Sequence, residues 1–245
     1  MEEKLAVKTN AIELLEKQLH NRAKKGQFGI IVLASATDPY LHIEKDYALT
    51  RQMLEVILKY RFPVHIITKS DLVIRDFDLL KQIDEQAVLP PDLRDKLNHK
   101  AFITFSFSTI DGALSRIFEP GATPPDKRLH ALQAANQNGF HSGVSMMPIL
   151  PYLTDSREKL EEMMTTFIRM GATYIFPASI TLFGNEPSDS KTLVFNAIKK
   201  HFPELTEKYQ KLFNDGFQTS YSYRNEFEKR IKELVIQHGI KTSIL

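Results

Sequence analysis

The sequence predicts an α/β fold with a parallel sheet, on three observations. Five short apolar runs alternate with helical segments at roughly 30- to 40-residue spacing, the pattern of strand–helix–strand units with right-handed crossovers. The first of them, Ile30–Ala36, is apolar throughout except for Ser35 rather than alternating in polarity, as a strand covered on both faces is. Each run also ends in polar or turn-forming residues: Thr37-Asp38, Thr68-Lys69-Ser70, Ser106 with Ser108, Met147-Pro148, and Ser179 with Thr181. Two closures fit this pattern, a doubly wound sheet or a (βα) barrel.

Leu5–Thr9 reads as a short strand. Asn10 with Glu13 then makes a capping-box-like start for a helix through Lys25, with Leu14, Leu15 and Leu19 on one stripe and Gly26 at its end. Ile30–Ala36 is the first strong strand, predicted to be buried on both faces. Pro39 has no N–H and disfavours helix at Asp38, so the strand must stop there. A helix over Asp46–Tyr60 carries Leu49, Met53, Leu54 and Ile57 on one face. The strand Val64–Thr68 is followed by a capped helical stretch, Asp71–Gln86, and the strand Ala101–Phe107 by a short helix, Asp111–Phe118. Pro125 suits the first turn of a helix that runs to Gln137 and is terminated by Gly139. Phe140–Met147 is a fourth strand, ended by Pro148; Thr154 and Asp155 are the expected caps of a helix to Met170; Ala172–Leu182 is a fifth, long strand. Beyond Gly184 the strands cease, and Lys191–His201, Pro203–Asn214 and Tyr223–His238 read as helices. The expected organisation is therefore a strand–helix domain over 1–183 and a helical carboxyl-terminal extension over 184–245.

The 245 residues suffice for a substantial core, and 32 basic against 30 acidic residues leave a net charge of +2, so charge does not indicate nucleic-acid binding. No apolar run approaches the length of a membrane span, and the amino terminus lacks the apolar core of a signal peptide; a cytoplasmic location is expected. The chain has no cysteine, which excludes disulfides and thiolate-held metals or clusters on its own residues. Neither a G-x-G-x-x-G nor a P-loop follows any strand, and there is no nucleophile elbow.

Parallel strands gather their carboxyl ends on one rim, which is where α/β proteins place their chemistry. An ammonium at Lys69, a carboxylate at Asp38 and hydroxyls at the neighbouring strand ends suit a zwitterionic ligand. The alternative reading is that Asp38 and Ser70 only cap the helical segments after them. His42 and Glu44 beside Asp38 have ligand chemistry, but their spacing is not that of a diagnostic metal motif. His65 and His141 fall inside strands, where hydrogen-bonded core histidines are expected. Tyr209, Phe213 and Phe217, at i, i+4 and i+8 among lysines, have the spacing of a buried helix face more than of a base-stacking platform.

A set of ordered stretches resembles the radical SAM superfamily, in its spore-photoproduct-lyase-like branch, often labelled DNA repair photolyase. They are Val7–Asn10, Ala36-Thr-Asp-Pro-Tyr40 with Glu44, Leu49–Arg51, Ile67–Ser70, Arg75-Asp76, Ser106–Thr109, Glu119-Pro120 with Arg128, and Pro148–Pro151 with Asp155. The resemblance implies a partial (βα)6 barrel that binds S-adenosylmethionine at the carboxyl ends of its strands. Its cofactor-binding set is Thr37, Asp38, Tyr40, Lys69, Ser70, Ser106 and Ser108. Within it, Thr37 and Asp38 would lie beside the methionyl and ribose parts, Lys69 would meet the methionyl carboxylate, and Ser106 or Ser108 the ribose or carboxylate.

The chain departs from that family in two respects. Such enzymes hold a 4Fe–4S cluster on a C-x-x-x-C-x-x-C loop upstream of the Val7–Asn10 match, and here there is no cysteine to ligate it. The hydrogen-donating cysteine of spore photoproduct lyase is likewise replaced, by Ala36. The resemblance thus implies the part of a radical SAM lyase that lies beyond the cluster loop, inactive as given. The rival is a cysteine-free pseudoenzyme that binds a nucleoside or nucleic acid without radical chemistry, and a weaker third is a metal-dependent barrel using Asp38, His42 and Glu44. A barrel lacking its first strand leaves a sheet edge open, so self-association through that edge is expected unless Leu5–Thr9 or a terminal helix covers it.

Overall fold

The computed structural model describes residues 7–34, 37–214 and 216–245. The elements succeed one another as α1 (Ala11–Lys24), β1 (Ile31–Leu33), α2 (Glu44–Tyr47), α3 (Leu49–Lys59), β2 (Val64–Thr68), α4 (Phe77–Gln86), β3 (Ala101–Ser106), α5 (Gly112–Phe118), α6 (Pro125–Gln137), β4 (His141–Ile149), α7 (Arg157–Arg169), β5 (Ile175–Ser179), α8 (Ser190–His201), α9 (Thr206–Phe213) and α10 (Tyr221–His238). Spatial order equals chain order, β1-β2-β3-β4-β5, in one open sheet. The predicted α/β class is therefore found, with strand–helix units and then three helices.

By their contacts the residues form two compact units, one taking the chain up to Phe105 together with Lys127–Gly143, the other Ser106–Asp126 with Val144–Ile244. In the first, β2 pairs in parallel with β1 (Ile31 opposite Val64) and with β3 (Val64 opposite Ala101, Thr68 opposite Phe105). The helix α3 packs against α1 and α4. Leu54, Ile57, Val64, Ile66, Leu80, Ile83 and Ile103 are fully buried there. In the second unit β4 and β5 pair in parallel, α10 packs on α7 and β5, and Val144, Met164, Phe167, Ile175 and Leu234 form the core. The chain's end also joins β5, the Ile175 N–H donating to the Lys241 carbonyl at 2.9 Å.

The local chemistry explains most boundaries. All of β3 is buried, as expected of a central parallel strand. Gly139 (φ +81°) and Gly171 (φ +92°) end α6 and α7 in the left-handed conformation that a β-carbon disfavours.

Several of the predicted boundaries need correction. Of the predicted first strand Ser35 and Ala36 lie outside the described residues; among the described ones it covers Ile31–Leu33, and Val32 is 47% exposed: as the terminal strand β1 has one neighbour there, and Ala34 at φ +114° takes the chain out of the extended region. The Asp46–Tyr60 helix is two helices, broken by Ala48 at φ +48°. Residues Asp71–Asp76 form a 3-10 turn ahead of α4. Strand β4 passes through Pro148 to Ile149, because the ladder register shifts between Met146 and Ile149 and no N–H is required of the proline there. The helix after it is capped by Ser156, which accepts from Lys159 N–H, while Thr154 and Asp155 are engaged elsewhere.

The long fifth strand is confined to Ile175–Ser179. Of the Leu5–Thr9 strand, Leu5 and Ala6 lie outside the described residues, and Val7–Thr9 is not extended ladder. Among the described residues no helix is long and apolar enough to cross a membrane.

Candidate functional site

In the first unit the segment after β1 is tied to the end of β2 by one carboxylate. Asp38 Oδ1 accepts the Thr68 hydroxyl at 2.7 Å and the Tyr40 N–H at 2.9 Å, and Oδ2 accepts the Lys69 N–H at 2.6 Å. Thr68, 1% exposed, passes the arrangement on by accepting the Ser70 N–H on its own hydroxyl at 2.9 Å. Ser70 in turn caps the 3-10 turn, accepting from Leu72 N–H at 3.2 Å. The sequence-predicted residues Asp38, Tyr40, Lys69 and Ser70 are thus brought together. Thr37 is exposed beside them. Of the two expected caps only Ser70 is one; Asp38 caps no helix, and its carboxylate is spent on the Tyr40 N–H and on the end of β2, so most of its acceptor capacity serves the chain itself.

Behind this knot lies a charge cluster built from the remaining motif residues of the same unit. Arg75 forms a fork with Asp76 (Nε–Oδ1 and Nη2–Oδ2, both 2.8 Å) and reaches Glu44 through Nη2–Oε1 at 2.9 Å and the Glu44 carbonyl at 3.2 Å. Arg51 bonds Asp76 at 3.0 Å and Asp78 at 2.8 Å. Glu44 also accepts the Thr50 N–H on both oxygens at 3.0 Å, and the Thr50 hydroxyl donates to the Pro39 carbonyl. Asp76 is fully buried and Glu44 4% exposed. Buried carboxylates require such partners, because an uncompensated charge in the interior costs several kcal/mol. Tyr40, 3% exposed, faces this cluster, and burial together with the Asp76 charge holds its phenol well above the ordinary range. Hydrogen bonding to Asp76 likewise raises the Arg75 guanidinium.

Glu44 is committed to Arg75 and to the Thr50 amide, and His42 is exposed. Among the described residues there is no group of three histidine, aspartate or glutamate side chains placed to hold a metal ion. His65 is a hydrogen-bonded strand histidine, its Nε2 2.7 Å from the Thr104 hydroxyl, and burial lowers its pKa to about 4.

In the second unit, Ser106 and Ser108 lie at the end of β3, 8% and 1% exposed. The Ser108 hydroxyl has no hydrogen-bond partner among the described residues, nor do those of Ser179, at the end of β5, and Thr219. Buried hydroxyls normally find partners, so an orphan one marks a place where a ligand or water completes it. Ser179 was legible as a strand end; nothing in the sequence marks Thr219. The second unit also carries a phenol cluster, in which Tyr209 donates to the Pro151 carbonyl at 2.9 Å and Tyr223 to Asp155 Oδ2 at 2.7 Å. Tyr209 and Phe213 are buried, so the helix-face reading holds for them, whereas Phe217 is 52% exposed and stacks on Phe183.

No protein-family model matches the chain. The Mycobacterium tuberculosis protein Rv2578c is 27% identical over 237 residues, which are 96% of this chain and 64% of that protein, so the chain spans less than two thirds of this relative's length. Among solved structures, Streptococcus suis SuiB bound to S-adenosylmethionine aligns with 98% of this chain and 45% of its own, at 11% identity and a TM-score of 0.59. A spore photoproduct lyase double mutant with bound AdoMet and dinucleoside spore photoproduct aligns with 93% of this chain and 64% of its own, at 16% identity and a TM-score of 0.60. At such identities the likeness is one of fold.

Proposed function

We propose that this chain is the S-adenosylmethionine-binding barrel portion of a radical-SAM-type protein, akin to the spore photoproduct lyase branch. The fold likeness to two proteins solved with that nucleoside supports this reading most directly. The strand-end residues of the present chain agree with it. In this reading Lys69 meets the methionyl carboxylate, Thr37 and Asp38 flank the methionyl and ribose parts, and Tyr40 and Ser70 shape the loops that hold them. The orphan hydroxyl of Ser108, 1% exposed, fits a polar ligand at the end of β3. Residues 1–183 are then the barrel portion and 184–245 its helical extension.

A 4Fe–4S cluster does not fit the residues of this chain, because its ligation requires thiolates and the sequence contains none. The same observation favours a second reading, a cysteine-free module that binds the intact nucleoside without radical chemistry.

Isothermal titration of S-adenosylmethionine into the metal-free protein tests the binding claim shared by both. Micromolar binding lost in Lys69→Ala is expected, and absence of heat with the wild-type protein overturns it. The reading frame upstream of the Met1 codon separates the two. A C-x-x-x-C-x-x-C within about one strand–helix unit, of the order of 30 residues, selects the first, and an immediate in-frame stop the second.

A further inference from the structure

Tyr40, Glu44, Thr50 and Asp76 are buried, and together with the part-exposed Arg51 and Arg75 they converge on one cluster. We propose that this cluster, with Arg75 at its centre, positions the rim of the binding site, holding the loop after β1 against the end of β2 so that Asp38 fixes the backbone at Lys69. The inference rests on the nucleoside-binding reading above and adds residues to it that touch no ligand.

The connectivity carries the argument. Without tertiary restraint, the ten residues between Asp38 and α3 would have many conformations, each costly to select (about 1–2 kcal/mol per ordered residue). Three internal bonds close this loop on itself: the Thr50 hydroxyl to the Pro39 carbonyl, and the Thr50 N–H to both oxygens of Glu44. Arg75 then clamps the closed loop from the β2 side, since its guanidinium touches Glu44 twice and Asp76 twice. Arg51 adds a link from α3 to the same Asp76. Tyr40 is the next residue but one after Asp38, and its ring is buried against the cluster while its N–H is held by Asp38. Displacing Glu44 or Arg75 therefore moves Tyr40, and with it the carboxylate that receives the Lys69 N–H. A planar fork suits this task because it fixes direction as well as distance; a lysine ammonium supplies only the charge.

Two variants test the idea. Glu44→Gln keeps an acceptor for the Thr50 N–H but loses the ion pair, and Arg75→Lys keeps the charge but loses the fork. The first measurement needs no ligand: amide hydrogen exchange observed by NMR. Exchange at Lys69 and Tyr40 is expected to accelerate at least about tenfold in both variants, with Val64–Ile67 unchanged.

The second is calorimetric. S-adenosylmethionine is expected to bind about tenfold more weakly to both variants, while 5′-methylthioadenosine, which lacks the amino-acid part, binds as to wild type. Lys69→Ala should cost less in either variant than in wild type, as for groups acting through one another. Unchanged exchange at Lys69 overturns the proposal, as does equal weakening for both nucleosides. Loss of folding in both variants overturns it too, because the cluster then supports the whole unit and not the rim. If exchange accelerates and wild type binds neither nucleoside, the positioning stands and the nucleoside reading falls.

Discussion

The Lys69 N–H and the Asp38 carboxylate meet at 2.6 Å although 31 residues separate them, and the same carboxylate holds the Thr68 hydroxyl at 2.7 Å. A side chain at the mouth of the sheet is thereby turned inward to its own fold. Bonds to an ionised acceptor are shorter and stronger than neutral ones, and each donor left without it would have to find water or another partner. The aspartate thus has a structural duty that precedes any contact with a ligand.

Stability measurements on Asp38 variants separate these duties. Asp38→Ala is expected to cost about 2–3 kcal/mol, since three donors lose a charged acceptor, and Asp38→Asn somewhat less. Urea unfolding read as a shift in midpoint at constant slope is the check. A change within about 0.5 kcal/mol would mean that the knot contributes nothing and that Asp38 is a surface group.

How much of this was legible in the sequence depends on how far apart the causes lie. The buried strand β3 and the helix α6 arise from an apolar-rich run and from Pro125 and Gly139, all local signals. The rim position of Asp38 and Lys69 was legible for the same reason, because Pro39 and the polar pair at 69–70 punctuate their strands. What Asp38 does with its oxygens was not, since its partners are set by strand register. The exposure of Val32 depends on β1 being terminal, which no window of sequence records. Thr154 and Asp155 looked like helix caps, but their oxygens serve the Leu150 N–H and the Tyr223 hydroxyl, tertiary partners that override a local rule. The link of Glu44 to Arg75 is another case: the motif residues were visible as a set, and their mutual contact was not.

His65 gives a pH dependence of definite sign. Its folded pKa, lowered by burial to about 4, lies below the ordinary histidine value near 6.5. Between these values the unfolded chain binds a proton that the folded chain refuses, so stability falls as pH drops from about 6.5 to about 4, and is unaffected above that window. The loss approaches about 3 kcal/mol from this one group at the lower end. His65→Gln, which retains a hydrogen-bonding group for Thr104, is expected to flatten that part of the profile. An imidazole NMR titration with a midpoint near 6.5 in the folded protein would remove the basis for it.

Tyr223 is the sole described side-chain donor to the buried carboxylate of Asp155, 6% exposed. Burial and that neighbouring charge raise the phenol's pKa well above the ordinary range, so the hydroxyl remains a donor at any pH of interest. Tyr223→Phe preserves the ring that stacks on Phe227 and deletes only the donor. The expected cost is about 1.5–3 kcal/mol, the range for bonds to charged groups, whereas Tyr209→Phe, which loses a neutral bond to the Pro151 carbonyl, should cost about 1 kcal/mol. Equal costs for the two substitutions in denaturant unfolding would show that the Asp155 charge plays no part.

The β1 edge makes the last prediction. Among the described residues β1 pairs with β2 alone, and it is a three-residue strand whose central Val32 is 47% exposed. An apolar, unpaired strand edge is a template for another chain, and natural sheets blunt such edges with charge, proline or a covering element. None of Ile31, Val32 and Leu33 supplies charge or proline. Concentration-dependent self-association is therefore expected, and Val32→Lys should weaken it by placing an ammonium on the edge while leaving Ile31 and Leu33 in register with Val64 and Ile66. Sedimentation equilibrium over a hundredfold range of concentration decides the matter. A wild-type protein that stays monomeric throughout shows the edge to be covered, and equal association of the lysine variant places the contact on another face.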